Sequence, residues 1–130
     1  MVKHLLSTAS FYLAAIGVAL LLAPRQFGVN AVPSNASPEL LALLRLLGGP
    51  LLGIAVLNWM SRKAELAAVR TVLLANLVGF GVVAVNDIVG VFTGNARDLA
   101  RVFLIVHLAF AIAFAIAWVR SAPTAAARRP

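Results

Sequence analysis

Four long apolar stretches dominate the chain, and short polar segments separate them. They lie at about 4–23, 39–60, 69–92 and 99–119. Each stretch holds about 20 predominantly apolar residues, the length that an α-helix needs to cross the roughly 30 Å hydrocarbon core of a bilayer. The pattern predicts an all-α integral membrane protein, a four-helix bundle that occupies residues 1–120 as one domain.

Polar and turn-forming residues mark the ends of these stretches. Ser37, followed by proline and glutamate, is typical of a helix start, and the turn cluster 93–95 predicts the end of the third helix. Trp118 suits a membrane–water interface. Because Lys3 precedes the first stretch, that stretch also resembles the core of a secretory signal peptide, but its length of about 19 residues favours an uncleaved helix.

Composition supports a membrane environment. Of the 130 residues, 62% are apolar and 12% are charged, whereas soluble domains carry about 25% charged residues. The net charge of +7 comes from residues between and beyond the apolar stretches. Membrane lipids with anionic headgroups are therefore the expected partners, and nucleic acid is not.

The distribution of basic residues predicts the orientation. With four spans, both termini lie on the same side as the loop between the second and third helices. That side holds seven cations: Lys3, Arg62, Lys63, Arg70, Arg120, Arg128 and Arg129. The opposite side holds three: Arg25, Arg97 and Arg101. Because positive charge favours the cytoplasmic side, both termini are predicted inside, and 121–130 is predicted to be a disordered basic tail.

Charged side chains within the spans are costly in hydrocarbon and need partners. Arg45 and Asp87 lie about 9 Å and 8 Å from the outer ends of the second and third helices, at 1.5 Å per residue. We therefore expect an Arg45–Asp87 ion pair, with Asn86 and His107 as further members of a polar cluster. The pair is interpreted either as a structural clamp or as a proton, ion or substrate site, and both readings stay open.

Small residues predict where the helices approach one another. Gly48, Gly49 and Gly53 share a face of the second helix, and the last two form a GxxxG pattern that permits close backbone contact. Asn76 on the third helix is expected to form an interhelical hydrogen bond.

No pattern typical of catalysis is present. The chain has no cysteine, and it lacks the HExxH, GxGxxG, Walker and GxSxG motifs. His4 and His107 lie at opposite membrane depths and cannot share a metal, so no metal site is predicted. A non-enzymatic protein is therefore expected, and no cofactor is identified.

Several segments of the second and third helices are informative together: the run from Arg45 to Trp59 (RLLGGPLLGIAVLNW), Ser61 with Arg62, Arg70, and the run 75–79 (ANLVG). In these segments the chain resembles small bacterial four-helix membrane proteins that are broadly DoxX-like. Better-known relatives in that group are quinone-linked accessory subunits of respiratory complexes. The resemblance covers the second to fourth helices and implies a multi-pass protein of the bacterial inner membrane.

Two functions follow as hypotheses. The first is a structural or accessory subunit of a homo-oligomer or larger membrane complex, and it is favoured by the glycine faces and short loops. The second is a site that binds or transports a quinone, lipid or ion at the outer-half polar cluster.

Overall fold

The computed structural model describes residues 1–97 and 99–122, and they form helices joined by short connections. Within these residues four helices are long and apolar enough to cross a membrane: α1 (Val2–Leu22), α3 (Pro38–Ser61), α4 (Leu66–Phe92) and α5 (Ala100–Arg120). The predicted all-α class is confirmed, and a long apolar helix is found at each of the four predicted spans. Most of the tail predicted at 121–130 lies outside the described residues.

Local sequence explains where the helices begin and end. The Ser37 hydroxyl accepts a hydrogen bond from the Leu40 amide at 3.2 Å, which caps α3 as predicted. At the end of α4, Gly94 adopts a φ of +71°, and the Asn95 amide donates to the Gly90 carbonyl at 3.0 Å. This is a Schellman motif, and only glycine takes the left-handed position readily.

A short helix, α2 (Pro24–Phe27), interrupts the outer loop predicted at 24–38. Pro24 stands at its first position, where the missing amide hydrogen costs nothing and the fixed φ suits a helical turn. Arg25 donates to the Ala36 carbonyl at 3.3 Å, which folds the loop back on itself.

The long helices associate as two hairpins. α1 packs along α3, and α4 packs along α5, whereas the backbones of the two pairs approach each other closely at few places. Between the pairs lies a shared apolar core, which includes Leu6, Leu73 and Phe114. Each hairpin is closed at the predicted outer side, by the 23–37 connection or by the connection that follows α4. The 62–65 connection joins the hairpins at the opposite side. The sites described below lie between them.

The first hairpin depends on a close approach of two glycines. A methyl group at Gly48 would lie 2.6 Å from the Gly17 carbonyl oxygen, and one at Gly17 would lie 2.9 Å from the Gly48 carbonyl oxygen. Beside this contact, the Ser10 hydroxyl donates to the Ala55 carbonyl at 2.7 Å. Backbone packing and a buried hydrogen bond therefore hold α1 against α3.

The GxxxG pattern does not act at this interface. A methyl group at Gly49 or Gly53 would meet no atom within 4 Å, so both glycines face away from the rest of the described chain. The expectation that they pack helices together within the chain is wrong. Helix rotation explains the result, because a helix turned so that Gly48 meets α1 points Gly49 about 100° away.

A matched pair of substitutions tests this packing. Gly48→Ala should lower the free energy of unfolding by about 1–3 kcal/mol, because two backbones must separate to admit the methyl group. Gly49→Ala should leave that free energy unchanged within about 0.5 kcal/mol or raise it slightly. Unfolding in mixed detergent micelles, followed by circular dichroism, measures both. Equal losses in the two variants would contradict the assigned rotation of α3.

Candidate functional site

A cavity of about 480 Å³ lies between the two hairpins. Its volume falls within the range of roughly 300–1,000 Å³ that is usual for small-molecule sites. Most of its wall is apolar, from Leu13, Ile16, Phe27, Leu51, Ile54, Ala75, Gly79, Phe80, Val83, Ala100 and Phe103. Five polar residues of the described chain also line it: Tyr12, Asn76, Asp87, Arg97 and His107. Such a wall suits a molecule that is largely apolar and carries a few polar atoms.

Three of these polar residues form one hydrogen-bonded chain across three helices. His107 Nδ1 on α5 lies 2.6 Å from Asp87 Oδ2 on α4, and His107 Nε2 lies 2.6 Å from the Tyr12 hydroxyl on α1. The side chains of His107 and Asp87 are only 14% and 15% exposed. We call Tyr12, His107 and Asp87 the relay.

The carboxylate of Asp87 sets the direction of this chain. An ionised carboxylate only accepts hydrogen bonds, so Nδ1 of His107 must carry the hydrogen that it donates to Asp87. In a neutral imidazole the other nitrogen is then an acceptor, and Nε2 receives the hydrogen of the Tyr12 hydroxyl. The charge of Asp87 is thus compensated inside an apolar bundle, where an unpaired carboxylate would be costly.

Aromatic rings hold the imidazole in place. Phe103 stacks on the His107 ring with centroids 5.9 Å apart and planes at 16°. Phe80 lies 6.1 Å from the same ring, and Phe110 lies 4.6 Å from Phe80 and 5.3 Å from Tyr12. These contacts restrict the rotation of the imidazole, so both of its nitrogens stay aligned with their partners.

Arg97 covers the end of the cavity beside α2. Its guanidinium donates to the Phe27 carbonyl, and to the Val29 carbonyl at 3.3 Å. It also lies 5.4 Å from the centre of the Phe27 ring and 5.3 Å from that of Phe103. Arg97 therefore ties the α2 segment to the beginning of α5, and it places a permanent positive charge beside the cavity.

An amide pair lies where the hairpins meet deeper in the bundle. Asn58 Nδ2 donates to Asn76 Oδ1 at 2.9 Å, and Asn76 Nδ2 donates to Asn58 Oδ1 at 2.7 Å. Asn76 also donates to the Val72 carbonyl at 2.8 Å. Asn58 is fully buried. The hydrogen bond expected of Asn76 therefore joins α4 to α3.

The expected Arg45–Asp87 ion pair is not formed. Asp87 pairs with His107, and Arg45 lies on an exposed face of α3 without an ion-pair partner among residues 1–97 and 99–122. Asn86 is exposed as well and stands outside the relay. The reason is helix pairing: α3 packs along α1 and touches α4 little, so similar depth in α3 and α4 does not bring side chains together.

Two residues of the site were not anticipated from the sequence. Tyr12 is the single tyrosine of the chain and lies within an apolar helix, where a hydroxyl needs a hydrogen-bond partner. That signal could have identified it. Arg97 carries no comparable signal, because a cation in a short outer turn is ordinarily solvated.

Comparisons with protein-family models, with curated proteins and with solved structures found no match. The DoxX-like resemblance therefore stays a prediction, and the interpretation of the site depends on its geometry.

A double-mutant cycle tests the amide pair. Asn76→Leu should lower the free energy of unfolding by about 1–2 kcal/mol, because it leaves the buried Asn58 amide without its partner. Combining it with Asn58→Leu should restore part of that loss, since no polar group then stays unsatisfied. The exposed Asn86→Leu serves as the control and should cost almost nothing. Strictly additive losses at positions 58 and 76 would show that the two amides are not coupled.

Proposed function

We propose that the protein binds a lipophilic small molecule within the membrane, in the cavity between its hairpins. The proposal depends on one observation: the three residues of the relay lie in the wall of an apolar cavity of about 480 Å³. Ligand sites typically combine apolar walls with a few placed polar groups that orient the ligand. The apolar body of the ligand contacts α3 and α4, and its polar head lies at the relay.

The chemistry of the wall favours an uncharged lipophile, such as a quinone or a neutral lipid, over an inorganic ion. Hard cations bind clusters of oxygen atoms, but among the described residues Asp87 is the one carboxylate on this wall, and it already accepts from His107. We therefore propose binding or transport as the function of this cavity.

We place the protein as a multi-pass protein of the bacterial inner membrane, with both termini in the cytoplasm. The seven-to-three distribution of basic residues supports the orientation, and the DoxX-like resemblance supports the membrane. In this orientation the relay and Arg97 lie in the outer half of the bilayer.

Filling the cavity tests the proposal. Gly79 lines the cavity, and a methyl group there would meet no atom within 4 Å, so Gly79→Leu should occupy cavity space without moving the backbone. Gly81 is equally open but lies outside the cavity wall, which makes Gly81→Leu the matched control. Binding of menthol to protein in lipid nanodiscs, with empty nanodiscs as the reference, should weaken at least about tenfold in the first variant only.

A second measurement looks for the natural ligand. Solvent extracts of the purified wild-type protein and of Gly81→Leu should contain an apolar compound that Gly79→Leu lacks, as detected by mass spectrometry. If menthol binds all three proteins equally and their extracts do not differ, the cavity is not a ligand site.

An accessory or oligomeric role is the second candidate function, and the exposed face of α3 favours it. Arg45, Gly49 and Gly53 follow one another at four-residue spacing and are all exposed, and nothing lies within 4 Å of the positions that side chains at the two glycines would take. An arginine about 9 Å inside the bilayer needs an anionic or hydrogen-bonding partner. A further helix, from a second copy or from a larger complex, would provide both packing and that partner.

The size of the particle in mild detergent tests this role. The wild-type protein should purify as an oligomer or with another membrane protein, and the Gly49→Leu/Gly53→Leu double variant should be a monomer, because leucines prevent close backbone approach. Gly81→Leu again serves as the control and should retain the association. A wild-type particle whose mass equals that of a single chain would exclude this role.

A further inference from the structure

The hydrogen bonds of the relay can run in either of two directions, and the two states differ by one bound proton. In the state described above, Asp87 is ionised, His107 is neutral and the Tyr12 hydroxyl donates to Nε2. The lone pairs of the tyrosine oxygen then face any ligand in the cavity. Tyr12 in this state accepts hydrogen bonds from a ligand and has no hydrogen left to give.

Adding one proton reverses Tyr12. The added proton leaves both imidazole nitrogens of His107 with hydrogens, or it resides on the Asp87 carboxyl group, which then donates to Nδ1. In both cases Nε2 carries a hydrogen and donates it to the tyrosine oxygen, because the two atoms stay 2.6 Å apart. The hydroxyl hydrogen of Tyr12 is thereby released to donate to the ligand.

We infer that the relay selects the head group of the ligand by its proton content: ketone-type carbonyls bind together with one proton, whereas alcohols bind with or without it. The reason is the inventory of hydrogen-bonding groups. A carbonyl only accepts, so it requires the protonated relay, but a hydroxyl both donates and accepts and suits either state. This inference rests on the ligand site proposed above and adds the chemistry that the site recognises.

The rest of the described cavity wall adds no further group that would take up a proton together with the relay. α3 contributes the apolar Leu51 and Ile54, and Asn76 on α4 does not titrate. Arg97, in the turn before α5, keeps its charge at every accessible pH. Among the cavity-lining residues in the ranges 1–97 and 99–122, the groups that can take up the added proton are therefore His107 itself and its partner Asp87. A mismatched carbonyl would face the tyrosine lone pairs, which is a loss in addition to the missing hydrogen bond.

Menthol and menthone provide matched probes, since they share a carbon skeleton and differ as an alcohol and a ketone. Their affinities for the wild-type protein in nanodiscs are to be measured between about pH 5 and pH 8, the range in which histidine side chains commonly change charge. Menthone affinity should fall as the pH rises, approaching about tenfold per pH unit, the limit for linkage to one proton. Menthol affinity should change much less.

Two variants locate the effect. Tyr12→Phe keeps the His107–Asp87 pair but removes the hydroxyl that responds to the added proton, so menthone binding should lose its dependence on pH. The Asp87→Asn/His107→Gln double variant removes both groups that can take up the proton and should have the same result by a separate route. Circular dichroism and thermal unfolding confirm that each variant is folded before binding is compared.

The outcomes separate the two proposals. If neither probe binds the wild-type protein at any pH, the ligand site itself is wrong. If both bind and their ratio is the same at every pH, or if menthone keeps its pH dependence in Tyr12→Phe, the site stands and the inference about the relay is overturned.

Discussion

The contact between Asp87 and His107 determines how the bundle accommodates charge in hydrocarbon. A carboxylate about 8 Å inside the end of an apolar helix needs a donor, and the donor is supplied by the adjacent helix of the same hairpin, at 2.6 Å. Because imidazole has a second nitrogen, satisfying Asp87 also creates an acceptor that points toward the other hairpin. Tyr12 meets it there. One buried charge thus accounts for a hydrogen-bonded chain that joins three helices and borders the cavity.

The number and extent of the long apolar helices could be predicted from the sequence, because hydropathy depends only on the local chain. The predicted third span begins at 69, whereas α4 begins three residues earlier at Leu66, because the ends of a helix are the part that a local sequence pattern defines least sharply. The position of each residue along its helix could be predicted equally well, and these positions placed Asp87 and His107 in one polar cluster. These properties need no knowledge of which helices are neighbours.

Helix pairing and rotation were not readable in the same way. Arg45 has a depth similar to that of Asp87, but the choice of α1 as the partner of α3 depends on the Gly17–Gly48 approach, which no spacing within one helix reveals. For the same reason the GxxxG pattern drew attention to Gly49 and Gly53, although their neighbour Gly48 makes the contact. Tyr12 enters the site only through the packing of three separate helices.

The connection at 62–65 gives this architecture a mechanical property. Each hairpin has its own internal packing. Across the described residues the two are linked by a shared apolar core, which includes Leu6, Leu73 and Phe114, and by the Tyr12–His107 bond, the Asn58–Asn76 pair and the Arg97 clamp. Swinging one hairpin about that connection would therefore break these polar contacts and expose part of the shared core, but it would leave the internal packing of both hairpins intact. The gap so opened would face the acyl chains directly, and a hydrophobic molecule could enter sideways from the bilayer without passing through water.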